Sequence, residues 1–313
     1  MNASLARTPK MLVRHLSYFV TLARERHFAR AAQLCNIAQP TLSAAIRKLE
    51  EALGVQLVIR SPRFVGLTAE GEKVLMWGRQ IVTDYNSLRD DISGAGRALT
   101  GTLRLGVIPA AMPAISFVTS RFARTHPAAT VDVRSMTSRE IERMLHAFEI
   151  DGGATYLENE PLENLRQMPL YRERYVFVAR RTAALAARQA ISWKEAASKP
   201  LCLLSDDMQN RRIIDKLAKS IGVTVSPKIV SNSFLGVCSH LRHGEWASIV
   251  PHSFFYVFGA APDLIALDLV EPVHSQMIGL VLLDRQPPSP MAGALLRSVL
   301  NLDVEAGLKE ARP

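Results

Sequence analysis

Cysteine is scarce in this 313-residue chain: Cys35, Cys202 and Cys238 lie far apart, and none has CxxC or Cys/His ligand spacing. That scarcity excludes a disulfide framework and a zinc-knuckle metal site, and it suits a reducing compartment. Burial as small apolar side chains is the expected role of Cys202 and Cys238, ahead of redox chemistry. Long apolar runs are missing too, so no membrane span is expected. Residues 1–20 carry Arg7, Lys10, Arg14 and His15, which would interrupt the apolar core of a signal peptide, and a cytoplasmic location is the expectation. Catalytic fingerprints are equally absent: there is no GxSxG, HExxH, P-loop or GxGxxG. His240 and His243 form an HxxH pair without a carboxylate or cysteine partner in the pattern, and Asp206-Asp207 has no recognisable acid/base arrangement. An enzyme, a metal site and a cofactor are therefore not expected.

What the chain has is basic charge and apolar periodicity. The net charge is +9, and residues 1–100 hold +6 of it, from 14 Lys plus Arg against 8 Asp plus Glu. With 48% hydrophobic residues, two or three domains with real cores are expected.

In the stretch AQPTLSAAIRKLEEALG, Leu42, Ile46, Leu49 and Leu53 recur at helical spacing and form one apolar stripe. Pro40 suits the first helical position, and Gly54 suits the left-handed residue past the end. The opposite face is short and polar near its start and basic further on. The preceding HFARAAQLCNIA reads as a helix from His27 to Cys35 stopped at Asn36, and two helices joined by so short a turn suggest a helix-turn-helix. In that motif Gln39, Thr41 and Ser43 face base edges, with Pro40 on the same DNA-binding face, while Arg47, Lys48 and Arg30 meet phosphates. The alternative for the same face is a solvated surface. VQLVIRSPRFVGL then reads as a β-hairpin wing from Val55 to Leu67, with Arg60 and Arg63 at its tip placed for phosphates or the minor groove.

LSYFVTLARERHFARAAQLCNIAQPTLSAAIRKLEEALGVQLVIR followed by LTAEG resembles the N-terminal domain of LysR-type transcriptional regulators. The likeness rests on Phe19, Phe28, Ala31-Ala32, Gln39-Pro40, Leu42-Ser43, Ile46, Leu49-Glu50, Leu53-Gly54, Arg60, Leu67-Thr68 and Gly71. Ala29 and Ala38 depart from it where the family often has a hydroxyl residue, and each substitution is expected to lose a cap of roughly 1 kcal/mol or a phosphate contact. Ala44 and Ala45 replace larger polar residues common on the recognition helix.

Beyond the wing, one long helix is expected over 69–92. Val74, Ile81 and Leu88 repeat by seven, as do Gly78, Tyr85 and Ile92, which predicts a dimer seam of Val74, Ile81, Tyr85, Leu88 and Ile92. Docking of the helix on its own bundle is the alternative. Residues 1–68 are thus read as a winged helix-turn-helix, 69–98 as a linker helix and 99–313 as a regulatory domain. After the glycines at 94, 96 and 101 the pattern becomes strand, helix, strand, helix, strand, which indicates α/β lobes. Lobe I is read over about 101–160 and 267–300 and lobe II over about 165–265, joined near Tyr156 to Leu165 and near Ala266 to Ser275. LRLGV, FARTHPAATVDV, PLYRERYVFVAR and HGEWASIVP are similar to the family's effector domain, whose fold is of the periplasmic-binding-protein type.

Ligands of such sheets sit beyond the strand ends. That marks Pro109 and Ala110, Ser135, Thr137 and Ser138, Ser205 and Asn210, and Asn232 and Ser233 as effector candidates, each of which also makes sense as a turn or cap residue. The family resemblance implies a regulator that binds an interrupted palindrome in double-stranded promoter DNA as a dimer or homotetramer, with RNA polymerase as a further partner. A cytoplasmic solute-binding or redox-sensing protein with incidental DNA affinity is the alternative. QPTLSAAIRKLEEALG, RFVGLTAEGEKVL and HSQMIGLVLLDR are similar to regulators encoded beside formate dehydrogenase operons, which implies a small carboxylate effector such as formate.

Overall fold

The computed structural model describes residues 8–60, 64–92, 98–158, 161–258 and 262–309. They form two compact units, one of residues 1–97 with 147–149 and one of the remainder.

The first unit contains α1 (Thr8–Glu25), α2 (Phe28–Leu34), α3 (Gln39–Leu53), a hairpin of β1 (Val58–Arg60) and β2 (Phe64–Leu67), and α4 (Ala69–Ile92). Leu16, Phe19, Leu22, Ala31, Ala32, Leu42, Ile46, Leu49, Leu57 and Leu75 form its core. α3 starts with Pro40 in its first turn and stops where Gly54 turns left-handed at φ 70°. The α2–α3 turn uses Asn36 at φ 53°, a conformation asparagine tolerates. Ala38 provides no side-chain cap to α3, as the sequence implies. Ala29 is a different case, because it lies inside α2. The cap there is His27, whose Nδ1 accepts from the Arg30 N–H at 3.4 Å.

The wing strands are shorter than the sequence pattern suggests. Pairing begins only at Val58 with Leu67, and Val55 and Gln56 are exposed. Glu50 accounts for this: it is buried in α3 and accepts from the Leu57 and Val58 N–H groups at 2.9 and 3.2 Å. A carboxylate thereby takes donors that a longer ladder would have used.

The second unit runs β3 (Gly101–Val107), a 3-10 turn (Pro109–Ala111), α5 (Met112–Thr125), β4 (Ala129–Ser135), α6 (Ser138–His146), β5 (Gly152–Tyr156), β6 (Leu165–Arg180), α7 (Ala183–Ala186), β7 (Ala190–Ser192), α8 (Trp193–Ala197) and β8 (Cys202–Leu204). It continues with α9 (Gln209–Ser220), β9 (Ile229–Ser231), α10 (Phe234–Arg242), β10 (Ser248–Pro251), α11 (Phe254–Phe258), β11 (Leu264–Val270), β12 (Ser275–Leu283), α12 (Pro290–Val299) and α13 (Val304–Lys309). The expected parallel core is present where β3 lies between β4 and β5. The sheet as a whole is mixed, because the chain crosses between lobes and returns.

β6 makes the first crossing within a single strand. Leu165 to Arg174 pair antiparallel with β12, while Tyr175 to Arg180 pair with β10 and β11. The sequence places the junction in the loop before Leu165 instead. β11 stays in the second lobe up to Val270, where it runs parallel to β7.

Candidate functional sites: a helix-turn-helix face and an interlobe cleft

Gln39, Pro40, Thr41, Arg47 and Lys48 are exposed on one side of α3, and Ser43 is half-buried beside them. The arrangement follows from the apolar stripe, since burying Leu42, Ile46 and Leu49 turns these side chains outward. Ala45, by contrast, is buried. Arg30 is exposed, but its guanidinium bonds the Glu25 carbonyl at 3.1 Å and lies 3.8 Å from the Glu25 carboxylate, so it is partly neutralised. Arg60 ends β1, and Arg63 lies outside the described residues.

On α4, Val74 and Val82 pack against the first unit's core beside buried Leu75, and Tyr85 is half-buried. Part of the helix is therefore docked on its own unit. Trp77, Ile81, Leu88 and Ile92 are exposed, Ile92 at 75%, and they line one side of the helix at helical spacing. Trp77 belongs to this exposed row although the heptads did not select it, and Val74, which they selected, packs against the core instead.

In the second unit a cleft is lined by Ile108, Pro109, Ala110, Thr137, Ser138, Tyr156, Leu204, Met208, Gln209 and Asn210. Five of the residues selected by loop position line it: Pro109, Ala110, Thr137, Ser138 and Asn210. Ser135, Asn232 and Ser233 are exposed and do not line it. Ser205 is just behind, with a buried hydroxyl that has no partner. Thr137 is already engaged as the cap of α6: its hydroxyl accepts from the Glu140 N–H at 3.2 Å, and the Glu140 carboxylate accepts from the Thr137 N–H at 2.8 Å.

The cleft is closed. Its free volume is about 10 Å³, room for about one water. Three hydrogen bonds from the start of α9 cross it. Asn210 Nδ2 donates to the Tyr156 hydroxyl at 3.2 Å, the Thr155 hydroxyl to Gln209 Oε1 at 3.4 Å, and Arg212 Nη2 to the Ser138 hydroxyl at 3.4 Å.

Beneath the cleft lies a buried acid absent from the sequence-based candidates. Glu173 on β6 is fully buried; the Tyr156 hydroxyl donates to it at 2.5 Å, and Tyr171 stands 3.4 Å from its other oxygen. Tyr175 in turn donates to Tyr156 at 3.3 Å. Burial pushes the Glu173 carboxyl up to about 8, against the pull of its tyrosine hydrogen bonds. The three tyrosines are pushed well above their ordinary range, first by burial and then by Glu173 beside them. At neutral pH the cluster is thus an uncharged hydrogen-bond network.

The two-unit arrangement defines a class, a winged helix-turn-helix joined through a long helix to a two-lobed α/β domain with an interlobe cleft. The chain matches the lysR family of bacterial regulatory helix-turn-helix proteins over residues 13–72 and the LysR substrate binding domain over residues 96–302. It belongs to the LysR family of DNA-binding transcriptional regulators.

The DNA-binding transcriptional dual regulator OxyR of Escherichia coli is 30% identical over 282 residues, 90% of this chain and 91% of that protein. The hydrogen peroxide-inducible genes activator of Pectobacterium carotovorum is 30% identical over 197 residues, and there the match spans 63% of this chain and 65% of the relative, just under two thirds of its length. Among solved structures, full-length OxyR from Pseudomonas aeruginosa superposes with a TM-score of 0.75 at 24% identity, covering 94% of this chain and 99% of that one, a likeness of fold. No helix among the described residues is long and apolar enough to cross a membrane.

Proposed function

We propose that this regulator grips an interrupted palindrome through the α3 faces and wings of a dimer, and that a small molecule in the interlobe cleft alters how the dimers associate, in a tetramer, and hence promoter activity. The observation that carries the DNA reading is the outward face of α3, where hydrogen-bonding side chains at the helix start precede Arg47 and Lys48. The exposed row Trp77, Ile81, Leu88 and Ile92 supports pairing through α4, since a bare apolar stripe of this kind is covered when two helices meet.

The test is fluorescence anisotropy on the DNA upstream of the protein's own gene, with unrelated DNA as competitor, over a salt series. Ser43→Ala should relax base discrimination by roughly 1 to 3 kcal/mol. Arg47→Ala should weaken binding to every sequence and reduce the salt slope by about 1. If both variants bind like the parent, the α3 face is only solvated and the DNA reading fails.

A peroxide-sensing role, suggested by the relatives' names, is not supported by the two cysteines of the effector unit. Cys202 and Cys238 sit together in an apolar cluster with Val176, Val178 and Leu241. Burial raises both thiols, Cys238 to about 12, the reverse of what a reactive thiolate needs.

A further inference from the structure

Gln209 has a feature that folding alone does not explain. It is 4% exposed, lines the cleft, and its Nε2 group has no hydrogen-bond partner, although Oε1 accepts from Thr155. A buried donor without a partner costs about 1 to 3 kcal/mol, and an apolar side chain of the same shape would avoid that cost. Gln209 is also the first residue of α9, a 12-residue helix whose cap, Met208, offers no side-chain acceptor. The helix-opening N–H groups and the partial positive charge of the helix end therefore converge on the same side of the cleft as the free amide. All of these groups donate, and what they lack is an acceptor. Arg211, the third residue of α9, adds a guanidinium that is largely buried and held by Asp215 and the Leu204 carbonyl. Glu173, linked to the cleft through Tyr156, does not oppose a negative ligand while it holds its proton.

Next to the cleft, and sharing Pro109 and Ala110 with it, is a second cavity of about 210 Å³ lined by Met112, Pro113, Phe234, Pro251, Phe254 and Val257, with Ser253. The Ser253 hydroxyl is turned to the Ala110 carbonyl at 3.3 Å, which leaves an almost wholly apolar wall. Roughly 150 Å³ suffices for a benzene-sized body, so this space exceeds the needs of formate and suits an apolar group of six or more carbons.

We infer that the effector is an organic monoanion whose carboxylate parts the hydrogen bonds that close the cleft and takes the free Gln209 amide and the first N–H groups of α9, with its apolar body in the cavity beyond Pro109 and Ala110. This rests on the reading of the cleft as the effector site, and it makes Gln209 the residue that selects an anionic head group.

The test uses full-length protein and straight-chain carboxylates from acetate to octanoate, each paired with its neutral amide. Binding is followed by calorimetry, and DNA binding by anisotropy in the same samples. The acids should bind and the amides should not. Affinity should rise about fourfold per methylene until the cavity is filled. Gln209→Met should lose at least tenfold in affinity for the acids while melting close to the parent, since it removes the unpartnered donor together with the long bond that Oε1 accepts from Thr155. Gln209→Glu, which keeps the side-chain shape and an acceptor for Thr155, should lose acid binding progressively as pH rises and its carboxyl ionises, and answers for a Met variant that fails to fold. Equal binding of acids and amides, no dependence on chain length, or unchanged binding by both variants would each overturn the inference. No response to any probe while specific DNA binding is intact overturns the inference alone, whereas loss of specific DNA binding in the parent protein overturns the regulator reading beneath it.

Discussion

Glu173→Gln is expected to remove a large pH-dependent contribution to the stability of the effector unit. In the folded state this carboxyl titrates near 8 because burial penalises its charge. In the unfolded chain it returns to about 4.3. Between these values the folded state holds a proton that the unfolded state has released, so unfolding releases protons and stability falls as pH rises. The stabilisation relative to a permanently neutral side chain is intact below about pH 4.3, declines across the interval, and is lost once pH passes about 8, a span on the order of 5 kcal/mol. Glutamine keeps an acceptor for Tyr156 and Tyr171 and cannot ionise. Calorimetric melting of parent and variant from pH 5 to 9 should therefore show a difference that turns in favour of the variant as pH rises. Subtraction removes the contributions of titrating groups common to the two proteins. A pH-independent difference would mean that Glu173 is ionised in the fold and that the tyrosines stabilise a charge. Glu173→Ala is a separate control. It leaves the Tyr156 and Tyr171 hydroxyls without their buried acceptor and should cost roughly 3 kcal/mol or more at pH 5, a cost that shrinks as pH rises because alanine does not ionise either.

This acid shows why part of the site was not legible in the sequence. YRERYVFV contains Tyr171, Glu173 and Tyr175 at alternate positions, the pattern of one face of a strand. Read alone, a face with a glutamate next to Arg172 and Arg174 looks solvated. It is buried because β6 pairs with β12 over Leu165 to Arg174 and then runs between β10 and β11 from Tyr175 on, and that placement depends on strands seventy or more residues away. Gln209 escaped for a similar reason: its partner Thr155 is 54 residues away, and the lack of a partner for its nitrogen is a property of the closed cleft. The helix-turn-helix was legible because its determinants are local. Four apolar residues at helical spacing, a proline at one end and a glycine at the other fix α3 and point its polar side outward without help from distant chain. α4 followed the sequence boundaries, 69 to 92, for the same reason. Its heptads alone could not show that Val74 turns toward the bundle, because that is decided by the contact with α1.

Gly71→Ala should weaken specific DNA binding at least tenfold while leaving the effector unit folded. The first turn of α4 is fastened to the root of the wing: the Thr68 N–H donates to the Leu57 carbonyl at 3.1 Å, the Thr68 hydroxyl to the Gln56 carbonyl at 2.6 Å, and the Gly71 N–H to the Thr68 hydroxyl at 2.9 Å. These bonds draw the two backbones together so closely that a Cβ on residue 71 would stand 2.2 Å from the Leu57 carbonyl oxygen and 3.2 Å from the Leu67 Cβ. The obstacle is backbone that is itself hydrogen-bonded to Thr68 and, through the neighbouring N–H groups, to Glu50 on α3, so it cannot rotate aside like a side chain. Relief requires the wing to move away from α4, which loosens Leu57 and Val58 from the core and tilts the wing relative to the α3 face. A forced insertion of this kind costs roughly 3 kcal/mol, which in a unit of this size lowers its melting by at least about 10 °C. DNA affinity should fall at least tenfold, because the wing and α3 no longer engage one DNA surface together. Gly66→Ala is the matched control in the same hairpin: a Cβ there meets only the Ile59 Cδ1 at 4.0 Å, so it should leave melting and DNA binding close to the parent. If Gly71→Ala binds DNA as the parent does, the wing is not held in place through this junction, and the contacts to DNA depend on the α3 helix alone.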